Sequence, residues 1–283
     1  MPDGSRRRYV ADLVVLAAFA VENARLLLAS ADAHHPAGLG NDHDLVGRYL
    51  MSHTAGLVFG LFDEETHSYM GAFGGQLVNQ DSYPKSTHAA RGAFGSYQWM
   101  IAQAVKPNDL LGLATTRVDL FGAPLQAFME RAARGFAGMT AVVEDIAMAD
   151  NRITLSPQRD RFGVKLAQAH HTTAAESDSL WQASLAEGKS VFEAAGAKEV
   201  WFGPPGRMHL MGGTVMGRSA ADSVTNDIGQ VHGMSNLVVA GPGLFASSGG
   251  VNPTFTVHAL TLRAARRLLA DWKGAVGAPR PGA

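Results

Sequence analysis

The chain has no cysteine. Disulfides, thiolate metal sites and a catalytic thiol are excluded, and any redox chemistry has to come from a bound group. An excess of charge is missing too, since 24 Lys and Arg stand against 25 Asp and Glu. That balance removes the basic footprint a nucleic-acid-binding surface requires. No apolar run approaches the roughly 20 residues that span a bilayer. What is present is apolar material, 46% of 283 residues, enough to bury a full core. The composition reads as a soluble globular protein with no nucleic-acid partner and no membrane span.

The start of the chain carries a decoy. Ser5, Arg6, Arg7, Arg8 and Tyr9, followed by an apolar stretch over 13–21 containing Ala18, Phe19 and Ala20, imitate a twin-arginine export signal. Asp12 opens that stretch, the stretch is short, and VENARLLLAS after it reads as a helix. A cytoplasmic location is favoured; the periplasm is the alternative if SRRRY is a real signal.

Residues 11–18 are apolar and partly β-branched, the pattern of a strand buried on both faces of a parallel sheet. Residues 20–30 follow as a helix with apolar positions at Val21, Ala24, Leu27 and Leu28, and DLVGRYLMSH predicts a short helix ending near His53. From 56 to 138 the chain is rich in Gly and aromatics, with alternating stretches LVFGLF and GLATTRVDLF that suit an antiparallel layer. Turn residues at Asp150-Asn151 and Ser156-Pro157 separate strands over 142–171. A long helix over 176–195 ends at Gly196, a short strand lies over 236–240, and a helix over 253–271 has Pro253 at its start. The Gly/Pro/Ala tail at the end reads as frayed. The fold class is therefore α/β plus α+β. Segments 1–55 and 203–275 form one discontinuous domain, 56–202 a second, and 276–283 a flexible tail.

Residues 208–265 hold the candidate chemistry. His209 lies beside Gly212, Gly213 and Gly217, a turn that lets backbone approach a planar ligand while an imidazole takes a proton near neutral pH. A lone histidine is most often structural, so both readings stand. Asn252 precedes Pro253 and Thr254 at a helix start, where its side chain and the helix N–H groups can face one bound group; the plain alternative is an N-cap. Ala240, Gly241, Pro242 and Gly243 close a strand. By letters, Gly241, Gly243 and Ala246 match a dinucleotide fingerprint, but neither an amphipathic helix nor an acidic residue follows at the required place. No HExxH or GxSxG motif occurs, and His170-His171 at a strand end would point to opposite faces. No metal site is expected. His258 is expected to pack near the site or against the sheet. Trp99, Phe94 and Tyr97 are candidates for stacking on a substrate, and Met211, Met216, Phe245 and Phe255 for shaping its pocket.

The wording MHLMGGTVMG, SNLVVAGPG and SSGGVNPTFTVHALTLRAA resembles the C-terminal end of the glucose-methanol-choline (GMC) family of flavoprotein oxidoreductases, closest to its sugar oxidase and dehydrogenase branch. ADLVVLAAFAVENARLLLAS, GLGNDHDLVGRYLMSH and NRITLSPQRDRFGVKLAQAHH resemble its late FAD-domain strand and helix, its entry into the substrate domain, and a substrate-domain hairpin. The resemblance implies a partial, Rossmann-like FAD-binding layer built from both chain ends, around a central antiparallel substrate domain. It implies FAD as cofactor, an alcohol or sugar as substrate, and proton abstraction by His209 with hydride transfer to flavin. Asn252 would hydrogen-bond the reacting oxygen, while 240–243 and 252–254, including Pro253 and Thr254, would line the cofactor.

Two departures accompany the resemblance. Phe19 stands where the family usually has Gly. The family's opening GxGxxG strand-turn and ribose-binding acid have no counterpart here, so this chain by itself is expected to bind FAD poorly. A truncated product, one piece of a split enzyme with a flavin-binding partner or electron-acceptor subunit, and an inactive interaction module are the three readings that follow.

Overall fold

The computed structural model describes residues 5, 7–71, 77–84, 86–87, 94–101, 104–270, 272 and 274. The tail expected over 276–283 lies outside them. The architecture is mixed α/β, as the sequence predicts.

The central strand is β2 (Met51–Leu61), buried along its whole length except at Leu57. On one side it pairs antiparallel with β5 (Phe136–Val143), which pairs with β4 (Tyr97–Ile101) and then β3 (Leu77–Asn79). On the other side β9 (Gly206–Met211) pairs with its first half and β8 (Glu199–Phe202) with its second. Helix α4 (Ala175–Ala194) covers one face through Leu180, Leu185 and Phe192. Each such side chain contributes about 1.5–3 kcal/mol on burial. The approach is close: a Cβ at Gly188 would stand 2.7 Å from the Trp99 ring and from Val58. Helices α2 (Pro107–Ala114) and α3 (Ala123–Gly135) cover the other face around Phe59, Phe128 and Phe136.

The two chain ends build a smaller parallel unit. β1 (Val14–Leu16) pairs with β10 (Leu237–Val239), and α1 (Phe19–Ala29) packs Ala24 and Leu27 against Val239, Leu244 and Ile153. The hairpin β6 (Arg152–Arg159) and β7 (Lys165–His170) closes over α1. Helix α5 (Thr254–Ala270) follows the site loop.

Several expectations are corrected. No helix forms over DLVGRYLMSH: Asp44, Gly47 and Tyr49 all take positive φ, which a right-handed helix does not admit, and the chain enters β2 instead. The segment 112–121 is not a strand: Pro107 at the first turn and Asp109 accepting the Lys106 N–H start a helix that runs to Ala114, and turns follow it. Ser156-Pro157 lies within β6 at a register irregularity, and the hairpin turns at 160–163 around the Asp160 carboxylate. β1 is not buried on both faces: Val14 and Val15 are about half exposed, at 44% and 51%. The helices expected over 20–30 and 176–195 and the strand over 236–240 form, and so does the helix expected over 253–271, as far as Ala270 among the described residues.

Candidate active site

His209 stands in a β-bulge. Met51 faces Met211 and His53 faces Met208, so Ser52 alone opposes both His209 and Leu210. The extra residue takes φ +56, a left-handed conformation that costs a non-glycine residue roughly 1–2 kcal/mol and that His tolerates better than most. A bulge re-aims the side chain it carries. Here the side chain it carries is the imidazole of His209.

That imidazole meets a second one. His209 Nδ1 lies 2.9 Å from His53 Nδ1, with the rings edge-on at 82°. His53 is fully buried, and its Nε2 lies 2.7 Å from the Gly249 carbonyl oxygen and 3.4 Å from that of Ser248. Burial pushes the His53 pKa down to about 4, against the upward pull of the Gly249 carbonyl. Burial also lowers the pKa of the partly buried His209. Both shifts favour the uncharged ring near pH 7.

The carbonyls that His53 faces are themselves pinned. The Asp145 N–H donates to Ser248 Oγ at 2.8 Å, and that hydroxyl donates to the Asp145 carbonyl at 3.0 Å. The Asp145 carboxylate accepts from His171 Nε2, the Ser52 N–H and Ser177 Oγ. Burial raises its pKa, but these bonds outweigh that and hold it below the ordinary carboxylate value. Further along the loop, a Cβ at Gly250 would stand 2.5 Å from the Ser96 carbonyl oxygen, so glycine lets the loop run against β4. Asn252 then accepts a hydrogen bond from Gln98 Nε2 at 2.5 Å, and α5 begins two residues later.

The 240–243 segment joins the same region. Gly212 N–H donates to the Pro242 carbonyl at 3.1 Å and Thr214 N–H to that of Gly243 at 3.2 Å, tying the end of β9 to a 3-10 turn at Pro242–Leu244. Asn23, fully buried on α1, donates to the Ala240 carbonyl and accepts from the Ala18 N–H. The carboxyl ends of the parallel strands β1 and β10 and the start of α1 are thus held together. Gly241 has φ +110, and nothing stands within 4 Å of a Cβ there. Phe19, where the family usually has Gly, has φ +76 and is about half exposed.

Not every candidate joins this cluster. Tyr97 and Trp99 are buried and both donate to the Glu187 carboxylate, so neither offers a face for stacking. Phe94 is exposed, as is Phe255 at 89%; Met211 and Phe245 are core residues, and Met216 packs on another apolar cluster. His258 is exposed on α5 rather than packed. His170 and His171 do have separate partners, Thr154 and Asp145. No group of three or more metal-ligating side chains occurs among the described residues. No helix among them is long and apolar enough to cross a membrane.

Residues 127–261, which include His209, 240–243 and Asn252, match the sequence profile of the GMC oxidoreductases. The chain carries the C-terminal region of the GMC oxidoreductase family. It is similar to the 2-methyl-1,2-propanediol dehydrogenase of Mycolicibacterium austroafricanum, at 31% identity over 92% of this chain and 48% of that protein. It is also similar to the fructose dehydrogenase large subunit of Gluconobacter japonicus, at 30% identity over 96% and 50%. The fold matches the formate oxidase of Aspergillus oryzae, a structure concerned with FAD modification, with a TM-score of 0.61 at 14% identity, over 93% of this chain and 55% of that one. The chain spans about half the length of the curated relatives it matches. His53, Gln98 and Asn23 lie outside the GMC-matched stretch. None of the three stands out in the sequence: YLMSH reads as a helix end, and Gln98 and Asn23 carry no motif.

Proposed function

We propose that this chain supplies the catalytic face of an FAD-dependent oxidoreductase that oxidises a CH–OH group of an alcohol, sugar or polyol. The single observation that carries the reading is His209: an imidazole, set by a strained bulge, whose Nε2 has no hydrogen-bond partner among the described residues. Strain of this kind persists where a site needs it.

The residues fit the cofactor. Gly241 leaves open space at the carboxyl ends of two parallel strands, the place where α/β units bind nucleotides. Ala240, Gly241, Pro242 and Gly243 would line FAD there. Pro253 and Thr254 would present the α5 N-terminus to it, since free N–H groups favour negative charge. When bound, FAD supplies the acceptor for the carbon-bound hydrogen and its electron pair.

The chain's own residues do the rest. His209 Nε2 takes the hydroxyl proton, so that the C–O bond becomes C=O as the carbon loses its hydrogen; the substrate is oxidised and the cofactor reduced. Asn252 Nδ2 donates to the same oxygen and holds the alcohol in line. The reduced cofactor then needs an electron acceptor, and a partner subunit is one source of it. The exposed Val14 and Val15 on β1 are the surface a flavin-binding partner would cover.

The test is an absorbance titration of the purified chain with FAD, followed by anaerobic addition of alcohols, sugars and polyols. A weakly bound flavin, seen as a shifted, structured band only at high FAD concentration and bleached by these substrates, is the expected result. Bound flavin that none of them bleaches contradicts the reading.

A further inference from the structure

We infer that His53 is a positioning residue that fixes His209 as one tautomer, with the proton on Nδ1 and a bare lone pair on Nε2. The inference rests on the proposed role of His209 only for its effect on turnover; the tautomer follows from the hydrogen-bond geometry of two neutral rings.

The Ser248 and Gly249 carbonyl oxygens can only accept, so His53 Nε2, 2.7 Å from the nearer one, carries a hydrogen. A neutral imidazole has one N–H, which leaves His53 Nδ1 bare. Two bare nitrogens do not approach to 2.9 Å, so the hydrogen between the rings belongs to His209 Nδ1. His209 Nε2 is then the only nitrogen of the pair left with a free lone pair. The depressed pKa values of both rings agree with neutral partners.

The arrangement has no slack. His53 sits on the central strand β2, and its carbonyl acceptors are locked through Ser248 to Asp145. Without His53, the Nδ1-bare and Nε2-bare forms of His209 would exchange and only the second could take a proton from substrate. Once His209 holds that proton, its Nδ1–H still donates to His53 as a charge-assisted bond, which steadies the cation. His53 therefore acts before and after proton transfer without touching the substrate.

The direct test is 15N NMR of the full chain labelled at histidine, near pH 7. His209 Nδ1 should show the shift of a protonated nitrogen and Nε2 that of a bare one, with scalar coupling across the Nδ1 to Nδ1 hydrogen bond. A protonated His209 Nε2 with a bare Nδ1 overturns the inference, whatever the enzyme does. In the flavin-loaded protein, His53→Leu should lower kcat roughly 10–100-fold, the loss typical when an orienting partner is removed, with KM little changed. His53→Asn, which keeps an acceptor for the His209 N–H, should recover most of it. Equal loss in both variants, in step with lost flavin or stability, reduces His53 to a core residue. If the NMR pattern holds while His209→Ala turns over normally, the proposed function fails and the tautomer assignment stands.

Discussion

Gln98 Nε2 donates to Asn252 Oδ1 at 2.5 Å, and Gln80 Nε2 donates to Gln98 Oε1 at 2.9 Å. The chain of amides sets the direction of the last one: with Oδ1 occupied, Asn252 Nδ2 is the group left to donate, its protein contact being Met100 Sδ at 3.7 Å.

Gln98→Glu should therefore harm turnover more than its size suggests. A carboxylate in that place can only accept, so it turns the Asn252 amide over and removes the donor from the reacting oxygen. A hydrogen bond of this kind is worth about 1–3 kcal/mol, so kcat/KM should fall roughly 5- to 150-fold. Gln98→Met, which removes the contact without reversing it, should lose less. Steady-state kinetics of both variants on one alcohol check this, and equal losses would remove Gln98 from the account.

Stability should depend on pH through His53. Its pKa is about 4 in the folded chain against an ordinary 6.5, so between those values the unfolded chain binds more protons. The contribution is complete above about pH 6.5 and is lost as pH falls towards 4, amounting to about 3 kcal/mol. The neighbouring His209 lowers the His53 pKa and the Asp145 carboxylate raises it; protonation of His53 would also set two N–H groups against each other. Denaturant melts from pH 7.5 to 4 should show a steeper acid loss in the wild type than in His53→Leu. Parallel curves would contradict the assignment of that loss to His53.

Gly212 and Gly163 separate close approach from conformation. Both have positive φ, +80 and +78, yet a Cβ at Gly212 would stand 1.9 Å from the Tyr49 carbonyl oxygen, while Gly163 has open space. Gly163→Ala should cost about 1 kcal/mol. Gly212→Ala has to move backbone below the site and should cost at least 3 kcal/mol, by analogy with the larger single-site effects. Urea unfolding of the two variants decides the point.

The parts of this molecule that follow local rules were legible in the sequence. The helix 3.6-residue pattern gave α1, α4 and α5, and Gly196 ends α4 with φ +92 as a C-terminal glycine should. The parts set by tertiary context were not. DLVGRYLMSH has a helical distribution of apolar residues, but Asp44 and Tyr49 are held left-handed, and a pattern of residue types does not report φ. His209 and Asn252 stand out as candidates because their setting resembles a known family. His53 and Gln98 contact them from strands far away in sequence, and the pairing of β2 with β9 and the close run of Gly250 against Ser96 bring them there.

The central claim is that His209 takes the substrate's proton, and the most direct measurement is the rate of anaerobic flavin bleaching by an alcohol in FAD-loaded wild type and His209→Ala. The account predicts that the variant keeps its flavin and bleaches at least about 100-fold more slowly, the usual worth of a positioned base. Bleaching at the wild-type rate, with flavin retained, would contradict it.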